Sequence, residues 1–118
     1  MEIARVALAV LSCLILLAAG VSTVTGRQAM RDVAAHLRVP WPLYRSVGVL
    51  ELAGAVGIAV GLWVPWLGVA AGTGVLLLMV GAFLAHARVH DPFAWYVPAI
   101  ALTATAAGYT VAMLLLQG

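Results

Sequence analysis

Long apolar runs separated by short polar connections organise the chain. Four runs occur, at about residues 3–24, 43–64, 66–86 and 93–116. Each is long enough to cross a bilayer, which takes roughly 20 residues. None alternates apolar and polar residues with period two along its length, so strands of a membrane barrel do not fit. In hydrocarbon the remaining choice is the helix, which satisfies its own backbone hydrogen bonds. The pattern predicts an all-α, integral membrane, four-helix transmembrane bundle. One unit spanning 1–118 is expected.

The connections differ in kind. Between the second and third runs there is only "WVPW". Pro65 breaks the helix there, Trp63 and Trp66 suit a membrane interface, and so short a link makes an antiparallel hairpin. Between the third and fourth lies "HARVHDPF", where Asp91 is a natural N-cap and Pro92 a natural first helical residue. The first connection, "TGRQAMRDVAAHLRVPWP", is longer. Thr25 and Gln28 have capping-box spacing. Met30, Val33, Ala34 and Leu37 then form one helical stripe, with most of the charges off it. A short interfacial helix is expected there, ended by Pro40 and Pro42.

Composition sharpens this. Of the 118 residues, 65% are hydrophobic and 8% charged, with a mean hydropathy of +1.14. A soluble domain carries about 25% charged residues, so the class is membrane protein. The first run, with Arg5 ahead of its apolar core and Ala18, Ala19 and Gly20 near its end, has some features of a signal peptide. Its length favours a retained span. The single Cys13 excludes an intramolecular disulfide and a cysteine-based metal or iron–sulfur site.

All cationic side chains other than histidine are arginines, and the net charge is +2. That is too dispersed for a nucleic-acid footprint, so no nucleic-acid partner is expected. Arg27, Arg31, Arg38, Arg45 and Arg88 fall on one side of the membrane and Arg5 on the other. The positive-inside rule places the first group in the cytoplasm and both termini outside. A multi-pass location in the cell membrane, such as a bacterial inner membrane, follows. Membrane lipids are expected partners. Small residues four apart (Ala53 and Gly57, Gly57 and Gly61, Gly68 and Gly72, Gly81 and Ala85) allow close helix approach. They serve either a tight intramolecular bundle or a seam with a second copy or another membrane protein.

The candidate chemistry centres on Glu51, the one charge in "VGVLELAGAVGIAVG". It lies roughly 12 Å into the membrane from the arginine-rich side, where an ionised carboxylate costs several kcal/mol in lipid. It must face the bundle interior, be protonated or meet a donor. Gly48 lies one turn before it and leaves room above it. Tyr44 and Arg45 lie nearer the same surface. The other runs bring His86, Tyr96 and Thr103 to the same half of the membrane, with Ser22 and Thr23 near the mouth and Arg88, His90 and Asp91 at the rim. Glu51, Tyr44, Arg45, Gly48, His86, Tyr96 and Thr103 are therefore the candidate ligand-binding residues. Glu51 and His86 are the candidates for acid–base work. A structural role for Glu51, hydrogen-bonded inside the bundle, is the competing reading. Tyr109 lies nearer the opposite leaflet and is read as packing. His86 and His90 have the spacing of a metal pair, but Pro92 makes a helix through both doubtful, so no metal is expected.

The run from "TGRQAMRDVAAHLRVPWPLYRSVGVLELAGAVGIAVGLWVPW" to "GTGVLLLMVGAFLAHARVHDP" resembles the DoxX-like four-helix membrane proteins. The shared features are a Thr-Gly after the first run, a short helix ending in Pro, "GVLELAGA" with its Glu, a Gly-rich hairpin and a His closing the third run. Val24 stands where that family often has a lysine, which removes one cationic partner for Glu51. The resemblance implies the fold and leaves the chemistry open, since the wider family includes quinone-linked redox components and an assembly chaperone. Two functions follow. One is a binding or accessory protein that holds a lipophilic small molecule or a partner helix at a cavity around Glu51. The other is a small membrane oxidoreductase or quinone-linked subunit moving protons through Glu51 and His86. No resident cofactor is evident, and a bound quinone or other lipophile is the fitting ligand.

Overall fold

The computed structural model describes residues 2–117; Met1 and Gly118, which the expected unit of 1–118 includes, lie outside the described residues. The helices are α1 (Glu2–Val24), α2 (Gln28–His36), α3 (Trp41–Gly61), α4 (Pro65–Arg88) and α5 (Val97–Gln117), with a 3-10 turn at Phe93–Tyr96 leading into α5. Four helical stretches are long and apolar enough to cross a membrane, the last counted from Phe93 to Leu115. They form a ring in which α1 packs on α3, α3 on α4, α4 on α5 and α5 on α1. The core holds Leu16, Ile58, Val75, Tyr109 and Met113 with almost no exposure. Ile3, Leu14, Val56, Leu77, Leu84 and Leu115 point outward, as apolar side chains facing lipid do.

Glycine sets the close approaches. A Cβ on Gly48 would come within 2.8 Å of Thr23 Cβ, and one on Gly20 within 2.8 Å of Leu52, so α1 and α3 cross there nearly backbone to backbone. Gly57 faces Ala71, and Gly61 faces Gly68 with the Tyr109 hydroxyl beside them. These small-residue rows are thus used within the bundle. Gly74 and Gly81 have open space around them.

Tyr109 does more than fill volume. Its hydroxyl donates 2.8 Å to the Ile58 carbonyl. The last turn of α3 tightens, with Leu62 N–H bonding to Ala59 rather than to Ile58. That leaves the Ile58 oxygen without its usual helical donor, and Tyr109 supplies one.

Several local expectations are corrected. No capping box opens α2: Arg27 is its N-cap without a side-chain bond, Thr25 donates back to Val21 O at 2.6 Å, and Gln28 donates to Asp32 at 2.9 Å. Proline does not end α2 either. The helix closes on Arg38, whose φ of 59° lets Arg38 N–H reach Ala35 O and Val39 N–H reach Ala34 O, the paired bonds of a Schellman end. Pro42 instead lies in the first turn of α3, where its missing N–H costs nothing. Asp91 does not cap the fourth span. Pro92 precedes the 3-10 turn, and no side chain caps it.

Candidate functional site

A cavity of about 650 Å³ opens in the half of the bundle that contains the ends of α1 and α4 and the starts of α3 and α5. Its wall is mostly apolar. Ser22 comes from α1, Met30 and Val33 from α2, Tyr44 and Glu51 from α3, and His86 from α4; Trp95 closes it from the 3-10 turn. The stripe expected on α2 explains its part: Ala34 and the adjoining Leu37 are buried, which turns Met30 and Val33 onto the cavity.

Glu51 is 9% exposed. The hydrogen bonds and ion pairs found among the described residues include none to its carboxyl. It lies on the cavity wall with Tyr44, one face of the helix above, and with His86 across from α4. A carboxyl group on so buried a residue, without a protein partner, is costly, and this one borders open volume.

The remaining candidates occupy different places. Tyr96 stands behind His86, its ring 5.4 Å from the imidazole and 5.8 Å from Phe83. Gly48 is filled against Thr23 and Val24. Arg45 is exposed and donates from Nε to the Val24 carbonyl at 3.0 Å, closing the end of α1, where a cation is favoured. Thr103 donates to Ala99 O at 2.7 Å within its own helix. Among the candidates, then, Glu51, Tyr44 and His86 share the cavity wall.

His86 is held by Asp91. The end of α4 is a second Schellman turn: His90 takes φ 57°, His90 N–H reaches Ala87 O and Asp91 N–H reaches His86 O at 3.1 Å. That turn swings Asp91 back under the helix. Its Oδ2 lies 2.5 Å from His86 Nδ1, and its Oδ1 accepts from His36 Nε2 at the end of α2. The Asp91 side chain is 2% exposed and that of His36 41%. Trp95 stacks on His36 at 4.5 Å. Burial alone would raise the Asp91 carboxyl; the hydrogen bonds from His86 and His36, with their charges, outweigh it and hold the group below its usual 3.8. One oxygen serves each ring, so the three side chains do not converge as metal ligands would, and among the described residues no metal-holding group of three occurs.

His36 and Trp95 went unread in the sequence. A signal existed: all 3 histidines of the chain and Asp91 fall on the same side of the membrane.

Four apolar spans around a mostly apolar cavity that contains Glu51, Tyr44 and His86 define a small multi-pass integral membrane protein in contact with lipid. Residues 7–108 match the model of the DoxX-like family, and the chain belongs to it. Neither a curated protein nor a solved structure gives a significant match.

Proposed function

We propose that the protein is a membrane binding protein whose Glu51 cavity holds a lipophilic small molecule by a polar head. The observation that carries this reading is Glu51, a residue 9% exposed, whose carboxyl has no protein partner among the described residues and which lines a cavity of about 650 Å³. That volume falls within the roughly 300–1,000 Å³ of small-molecule sites. Such sites combine apolar walls with a few placed polar groups, here Glu51, Tyr44, His86 and Ser22. A ligand donor at Glu51 would remove the cost of an unpartnered buried acid. A structural carboxyl holding the bundle in register would instead be expected to bond across helices.

The test is mass spectrometry of small molecules carried by the purified protein, with Glu51→Gln alongside. Gln keeps size and loses ionisation. The expected result is a lipophile bound by the parent and depleted at least about tenfold in the variant, a loss on the scale of one hydrogen bond to a charged group. Equal loading of both proteins would overturn the reading.

A second reading, a quinone-linked redox subunit, has one observation in its favour. Glu51 and His86 border the same cavity, and His86 continues through Asp91 to the half-exposed His36. Such a series suits proton exchange between a buried site and water. Electron transfer would then rest on the bound quinone and a partner protein.

A further inference from the structure

The cavity has one wall that is barely attached. α2 has nine residues, too few to hold as a helix in water on its own. Of its residues only Ala34 is fully buried. Its start is tied to the preceding turn, where Arg31 Nε donates to Gly26 O at 3.2 Å, and to the first residue of α3, where the Arg31 guanidinium covers Trp41 at 4.4 Å. Its end is tied across the bundle to the α4–α5 connection. His36 bonds Asp91, Arg88 donates to the carbonyls of Leu37 and Arg38, and Trp95 stacks on His36. Left-handed Gly26, φ 74°, and left-handed Arg38 bound the segment.

We propose that α2 is a lid on the cavity and that Asp91 is its latch, so that a lipophile from the interfacial layer enters beneath α2 when the Asp91–His36 contact opens. This rests on the reading of the Glu51 cavity as a ligand site. Met30 and Val33 are the lid's inner face, since both border the cavity. The latch is a buried carboxylate that accepts from an imidazole on each side, and hydrogen bonds to a charged acceptor are the stronger kind. One of those imidazoles, His86, also borders the cavity. The residue that holds the lid shut therefore shares its carboxylate with a residue a ligand would touch. A polar head that draws His86 from Asp91 weakens the arrangement that positions His36, which couples occupancy to the lid.

The test uses the full chain in nanodiscs. Cys13 is replaced by Ala, Glu51→Cys is introduced as reporter, and its labelling by a small methanethiosulfonate is timed. Ala19→Cys, on the α1 wall, serves as a second reporter should the first disturb the fold. Each is combined with Asp91→Asn, which leaves one acceptor oxygen for two rings, and separately with His36→Ala, which removes the lid's side of the latch together with its stack on Trp95. The expected result is slow labelling in the parent and about tenfold faster labelling in both combinations, the effect of losing one charge-assisted hydrogen bond. Hydrogen exchange should rise in α2 and not in the four spans. Equal labelling rates in all three proteins would overturn the latch and leave the cavity standing, with entry from between the spans. Faster exchange throughout the bundle would also overturn it, by reducing Asp91 to a general support. A reporter that labels in none of the proteins would overturn the cavity itself.

Discussion

Asp91 Oδ2 lies 2.5 Å from His86 Nδ1, although the two residues belong to different segments, the loop before the fourth span and the last turn of the third. The pair sets a pH window. The Asp91 carboxyl titrates below its usual 3.8 because His86 and His36 hydrogen-bond it against the opposing effect of burial. A group whose folded value is depressed contributes its stabilisation fully above the unfolded value and loses it as pH falls through the folded one. The carboxylate's contribution to the latch is therefore expected to be in place above about pH 4 and to be lost as the pH falls below that. Trp95 stacks on His36, so tryptophan fluorescence followed against pH in parent and His36→Ala protein is the measurement. An acid transition below about pH 4 that is identical in parent and His36→Ala protein would contradict it.

Glu51 should trade stability against binding. Replacing a buried, unpartnered carboxyl by an apolar residue removes a desolvation cost, as core substitutions of buried charges show. Glu51→Leu is expected to raise stability by about 1–3 kcal/mol while abolishing loading of the cavity. Unfolding of the α-helical signal in mixed micelles, read beside ligand content, tests both halves. A destabilised Glu51→Leu would mean that the carboxyl supports the bundle.

Tyr109→Phe removes the donor from the Ile58 carbonyl and leaves that buried oxygen unmet. The expected cost is about 1–3 kcal/mol, with the ligand content of the distant Glu51 cavity unchanged. Parallel denaturation curves would show a shifted midpoint with an unaltered slope.

Two glycines make a paired test of the packing. Gly48→Ala would bring Cβ to 2.8 Å from Thr23 Cβ and is expected to cost about 1–3 kcal/mol by overpacking the α1–α3 crossing. Gly81→Ala meets open space and should be neutral or slightly stabilising. Equal effects at both positions would contradict the crossing.

Orientation follows from charge. Arg27, Arg31, Arg38, Arg45 and Arg88 occupy the side that contains α2, with only Arg5 opposite, so that side is expected to face the cytoplasm. A reporter fused behind α5 should be active only outside it. Cytoplasmic activity would reverse the orientation and leave the fold untouched.

Length, hydropathy and proline act locally and a bilayer admits few alternatives, so the sequence alone was enough to read the four spans, the hairpin at Pro65 and the helix between the first two spans. It also singled out Glu51, since a lone carboxyl in an apolar run is costly wherever the run packs. It placed Tyr44 and His86 at compatible depths but gave Arg45, Gly48 and Thr103 the same standing, because depth along a helix says nothing of which way a side chain turns. That was decided by tertiary structure. Rotation of α3 sends Arg45 to the Val24 carbonyl and Glu51 to the cavity, and Thr103 satisfies its hydroxyl on its own helix. Asp91 read as a helix cap because capping is a local rule. Its real partners, His36 and His86, meet it only because a left-handed His90 turns the chain back and the bundle carries the end of α2 to the end of α4. Contacts between residues 55 apart depend on the path of the whole chain, which no local pattern encodes.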